Sequence, residues 1–149
     1  MKRTNPSVQL LILLPLFALF MTGCRSTVDP YELDLTPGEY FQKAIDASDS
    51  GNYKLALRYY EAFQQKYPED LSGNLWASYE IALCYHKMGR NKTAAELFRT
   101  LLDQYDKIAQ ETKEDAADKE PVPLGPRILA EKVLQRIEPK PGKEAPKEK

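Results

Sequence analysis

The chain has 149 residues, enough for one domain, and a formal net charge of −1. So neutral a chain lacks the basic surface that nucleic-acid binding needs. Its 42% hydrophobic and 29% charged residues are ordinary for a soluble protein, but they are unevenly placed: a greasy start, a periodic aromatic middle and a Lys, Glu and Pro end.

The first element reads as an address. Lys2 and Arg3 precede an apolar run from Leu10 to Phe20, interrupted only by Pro15. That length suits the apolar core of a secretory signal and falls short of the roughly 20 residues a membrane-spanning helix needs. Met21-Thr22-Gly23-Cys24 follows. It resembles the bacterial lipobox, in which small residues precede a cysteine, although Met21 stands where Leu is usual. The resemblance implies that residues 1–23 are a cleaved signal peptide and that Cys24 is lipidated on sulfur and acylated, with palmitate as a label. Two or more acyl chains hold a protein firmly on a membrane. Without Lys2 and Arg3 the mature chain is more acidic, so the lipid rather than headgroup attraction must anchor it. Arg25, not Asp, follows the cysteine, which in enteric-type lipoproteins favours the outer membrane over the inner one, with the periplasmic face expected. An ordinary secretory signal with an incidental cysteine is the alternative.

Residues 24–35 read as the lipidated cysteine and a tether with few helix signals. Thr36-Pro37-Gly38-Glu39 opens a helix: Thr36 caps it, Pro37 suits the first position and Glu39 completes a capping box. This helix runs to about Ser50, where Gly51 ends it and Asn52 caps the next. The second helix spans about Tyr53 to Tyr67, with Ala56, Tyr60, Phe63 and Tyr67 on one stripe, and Pro68 stops it. After a connection over 69–74, a third helix covers about Leu75 to Met88. Gly89 ends it, and Asn91 is placed to cap a fourth helix that carries Ala94, Leu97, Phe98, Leu101, Leu102, Tyr105 and Ile108. Residues 109–120 are helix extension or loop. Gly125-Pro126 starts a fifth helix, closed by Pro139. Residues 36–138 therefore form a helical domain, and 139–149 read as disordered. Cys84 fits a small buried apolar position.

Two stretches repeat. Gly51-Asn52-Tyr53 and Ala56 pair with Gly89-Arg90-Asn91 and Ala94, and Tyr60 pairs with Phe98. The pattern resembles the tetratricopeptide repeat, a helix pair of about 34 residues. The resemblance implies an all-α fold: two antiparallel helix pairs plus a C-terminal helix, behind the cleaved signal. The small residues would be Ala44 and Ala82 on the first helices and Ala56 and Ala94 on the second. Small residues at such crossings let helices approach to about 8–10 Å. Departures are a spacing of 38 between the glycines, Tyr40 and Ser78 at the usual Trp position, Phe63 and Leu101 for an alanine, and Asp106 for the closing proline. This longer, bulkier form behind a lipobox resembles the BamD-type outer-membrane-assembly lipoproteins, which have about five repeats.

No chemistry of catalysis stands out. His86 is the single histidine, so no metal site is expected. There is no nucleophile motif and no phosphate-binding glycine loop, so neither enzyme activity nor a cofactor is expected. Glu111, Glu114, Asp115 and Asp118 alternate with lysines and read as a solvated face. The family's first helices line a concave surface. By the alignment, that surface carries Phe41, Ile45 and Ser48, then Trp76, Tyr79, Leu83 and His86. Some family members grip acidic peptide ends with Lys and Asn at such places, where Phe41, Ile45, Tyr79 and Leu83 stand here. The implied ligand is an apolar helix or extended segment of a protein partner, with Trp76 and Tyr79 as anchors. Cover by the fifth helix or by the Tyr31-Leu33-Leu35 segment is the competing expectation. Two roles stay open: a membrane-anchored protein-interaction module of the cell envelope, or a structural envelope subunit held in a permanent complex.

Overall fold

Thr36 starts the first helix as its sequence requires. Its hydroxyl accepts the Glu39 N–H at 3.4 Å while the Glu39 carboxylate accepts the Thr36 N–H at 2.8 Å. The resulting helix α1 (Pro37–Asp49) is followed by α2 (Tyr53–Lys66), α3 (Leu71–Lys87), α4 (Asn91–Glu111) and α5 (Gly125–Ile137). These elements come from a computed structural model that describes residues 29–111 and 121–138. The signal peptide, Cys24, the acidic residues 112–120 and the tail 139–149 lie outside the described residues. Among the described residues no helix is long and apolar enough to cross a membrane.

The two helix reversals are built alike. After α1, the Gly51 N–H donates to the Ser48 carbonyl at 2.9 Å and the Asn52 N–H to Ala47 at 2.8 Å. After α3, the Gly89 N–H donates to His86 and the Arg90 N–H to Tyr85, both at 2.9 Å. This double closure satisfies carbonyls that the helix end leaves unpaired. It needs a left-handed residue at the reversal. Gly51 and Gly89 supply it at φ 74° and 75°, where a β-carbon would be strained.

The helix pairs meet through small residues. Ala44, Ala56, Ala82 and Ala94 are fully buried, and the aromatic rings of Tyr40, Tyr60, Phe63 and Phe98 fill the space around them. Burying each such ring stabilises the fold by roughly 1.5–3 kcal/mol. Helix α3 has two apolar faces and joins two cores. Ala77, Ile81 and Cys84 pack with α1 and α2, while Leu75, Tyr79 and Ala82 pack with α4 and α5. Cys84 is a free buried thiol, and burial pushes it up to about 12, which leaves little thiolate.

Three expectations need correction. Helix α3 starts at Leu71 rather than Leu75, because the Asp70 carboxylate accepts the Gly73 N–H at 2.8 Å. The Asn74 side chain then donates to the Tyr67 and Asp70 carbonyls, closing most of the expected connection into the helix. Asn91 is not a cap like Asn52. It lies in the first turn of α4, and its side-chain oxygen pairs with the His86 Nδ1 at 2.8 Å. Residues 29–35, expected as part of a tether, are docked. They form a 3-10 turn at Pro30–Glu32 packed on α2, with Pro30 buried. The Tyr40 and Tyr67 hydroxyls donate to the Leu33 and Leu35 carbonyls, each at 2.6 Å. Arg58 pairs with Asp29 at 2.5 Å.

Candidate protein-binding groove

Between α1 and α3 runs a groove of about 540 Å³. Phe41 and Ile45 line it from α1, Trp76 and Glu80 from α3. Helical spacing explains the pairing: positions four apart lie on one face, one turn above the other. Phe41 is held by edge contacts to Tyr60 and Phe63, with ring centroids 5.4 and 4.9 Å away. Ile45 is 42% exposed. The groove therefore presents an exposed apolar side chain beside a row of packed aromatic rings.

The remaining residues expected at this face are placed differently. Tyr79 is buried, its ring against Trp76 at 6.2 Å and Phe98 at 5.8 Å, and it belongs to the second core. Its ring is therefore packed away from the groove. Leu83 packs against the same core as Leu129 and Val133 of α5. His86 is half-buried and engaged with Asn91. None of the three lines the groove, and neither does Ser48. Trp76 serves both sides. It lines the groove, and its ring also presses on Gly125, where a β-carbon would come within 2.7 Å of the indole. Helix α5 thus covers the Tyr79 end of the expected surface, while no described residue covers the Ile45 end. The segment around Tyr31 lies on α2 and not on the groove.

The sequence reading passed over Glu80. It is half-buried at the groove, and desolvation raises its carboxyl above the usual carboxylate range. Tyr60, beside it, is raised by burial first and by the Glu80 charge second. A signal was present: Glu80 is the single acidic residue between Asp70 and Glu96. Among the described residues no group of three His, Cys, Asp or Glu could hold a metal.

Residues 76–107 match the family model of the tetratricopeptide repeat. The fold is tetratricopeptide-like. The matched stretch takes in most of α3 and α4, the second helix pair, and ends one residue past Asp106, the position aligned with Pro68. Comparisons with curated proteins and with solved structures return no match. The first pair, α1 and α2, has the same glycine closure and the same buried alanines, so the repeat geometry extends beyond the matched stretch. Helix α5 packs on α4 and α3, with Ala130 buried in the second core, and Pro126 is buried as well. Tetratricopeptide repeats are a protein-interaction fold, and the groove lies between two first helices of that fold.

Proposed function

We propose that this chain is a lipid-anchored protein-binding module of the cell envelope. Acylated Cys24 holds it on the outer membrane, and the α1–α3 groove receives a segment of a partner protein on the periplasmic side. The anchoring half of this reading rests on Lys2, Arg3, the Leu10–Phe20 run and the lipobox-like Met21-Thr22-Gly23-Cys24. The binding half rests on one observation: Ile45 is exposed next to Phe41 and Trp76 in an open apolar groove of a tetratricopeptide-like fold. A place in outer-membrane protein assembly is the finer reading, supported by the likeness of this lipobox-and-long-repeat arrangement to lipoproteins with that role.

The test uses detergent-solubilised membranes. Wild-type protein labels with palmitate and captures a partner. Ile45→Lys still labels, keeps its stability within about 0.5 kcal/mol as an exposed substitution, and loses the partner. Capture unchanged by Ile45→Lys refutes the groove. Wild-type protein that takes up no palmitate refutes the anchor.

A further inference from the structure

The groove is apolar but carries a charge pattern. Of the side chains that line it, Asp70 and Glu80 are acidic and none is basic. Asp70 has a structural task, capping α3 through the Gly73 N–H. Glu80 has none: no hydrogen bond or ion pair joins its carboxylate to any described residue. Desolvation is the cause of its raised carboxyl, and no cation among the described residues pairs with it. A half-buried, unpaired carboxylate is costly, and such groups are normally matched by a cation or by hydrogen-bond donors.

We propose that the groove recognises a lysine or arginine side chain of an extended segment of the partner protein, with the cationic head on Glu80 and the aliphatic stem along Phe41, Ile45 and Trp76. The proposal rests on the groove being the partner site and names what that site selects. Each part of such a side chain finds its complement. The methylene stem covers apolar surface while the charged head reaches a carboxylate, as long basic side chains do elsewhere. The Trp76 face adds attraction for a cation near its ring. Tyr60, which also lines the groove, offers a hydroxyl beside Glu80. The space of about 540 Å³ is ample for one long side chain and the apolar residues that flank it. An acidic or purely apolar segment would leave Glu80 desolvated and unpaired, so the same carboxylate that favours a basic residue selects against the others.

The test is a display of random ten-residue peptides on an array, probed with the purified full chain in detergent and with its Glu80→Gln variant. The wild type selects peptides with Lys or Arg flanked by apolar residues. Glu80→Gln keeps the apolar preference, loses the basic one, and binds the selected basic peptides about tenfold more weakly, the scale of one charge-assisted hydrogen bond. Thermal melting confirms that the variant folds. Should it not fold, Glu80→Ala and the wild type at rising salt give the same readout, since charge-assisted binding weakens with ionic strength. Apolar peptides selected without a basic residue, or a basic preference that survives Glu80→Gln, overturns the proposal and leaves the groove intact. No selection by the wild type at all overturns the groove itself.

Discussion

The two helix pairs are built on one plan and end differently. Both reverse at a left-handed glycine, both bury alanine at the crossing, and both carry an aromatic ring one turn later. At the closing position the first pair has Pro68 and α2 stops at Lys66, after 14 residues. The second pair has Asp106, and α4 continues to Glu111, a helix of 21 residues. Proline lacks the N–H and clashes with the preceding turn, so its loss permits the extension. Asp106 then takes on a new task, pairing with Arg127 of α5 at 3.2 Å. The tyrosines of the two pairs show the same divergence. The Tyr67 hydroxyl donates back to Leu35 before α1, whereas its counterpart Tyr105 donates forward to Pro123 before α5. One repeat plan therefore seals the first pair towards the N-terminal segment and opens the second towards a further helix.

Restoring the proline should break the second pair most severely. Asp106→Pro removes a helical hydrogen bond inside α4 and the Arg127 ion pair, and should cost about 3 kcal/mol or more. Pro68→Ala, at the end of α2, should change stability by less than about 1 kcal/mol. Urea melts of both variants check the contrast, and equal costs contradict it. The shared crossing gives the next effect. Ala56→Leu and Ala94→Leu each overpack a fully buried site and should each cost about 1–3 kcal/mol. If only one of them destabilises, the two pairs are not equivalent. A smaller, matched effect is expected at the reversals. Gly51→Ala and Gly89→Ala place a β-carbon at positive φ and should each lose about 1–2 kcal/mol.

The smallest effect sharpens the asymmetry at the groove through pH. Glu80 has its carboxyl raised above 4.5 by desolvation, so the fold binds its proton more tightly than the unfolded chain does. Its contribution is present below pH 4.5 and is lost as pH rises through the raised folded value. Glu80→Gln carries no such penalty at neutral pH. The variant should therefore melt at the same temperature or higher than the wild type at pH 7, with the gap closing towards pH 4. A gap that widens on acidification contradicts the desolvated carboxylate.

Much of the fold is legible in the sequence because its punctuation is local. Thr36, Glu39, Gly51, Asn52 and Gly89 act through hydrogen bonds to nearby residues and Pro68 through the N–H it lacks, and the helices begin or end where these residues stand. Asp70 was hidden because its cap lies ahead of a stretch with Ser72, Gly73 and Asn74, a turn-like composition that the Asn74 side chain converts into helix. The groove was half legible. Helical spacing places Phe41, Ile45 and Trp76 on the right faces, but it carries no information on what lies across from them. Tyr79 and Leu83 share that face, and Tyr79 is buried and Leu83 partly so because α5 returns to pack on α3, a contact between residues far apart in sequence. Glu80 was overlooked because a lone acid on an apolar helix reads as a surface residue until the neighbours that desolvate it are known.

The partner face proposed here is the Ile45 end of the molecule and not the α5 end. Ile45 and Ile128 make a matched pair for this, since both are exposed isoleucines, at 42% on α1 and 48% on α5. A photo-crosslinking amino acid placed at each position in turn, in the full chain in cells, reads which surface touches a partner. The prediction is a discrete crosslinked species from position 45 and none from position 128. Crosslinking from position 128 with none from position 45 would contradict it.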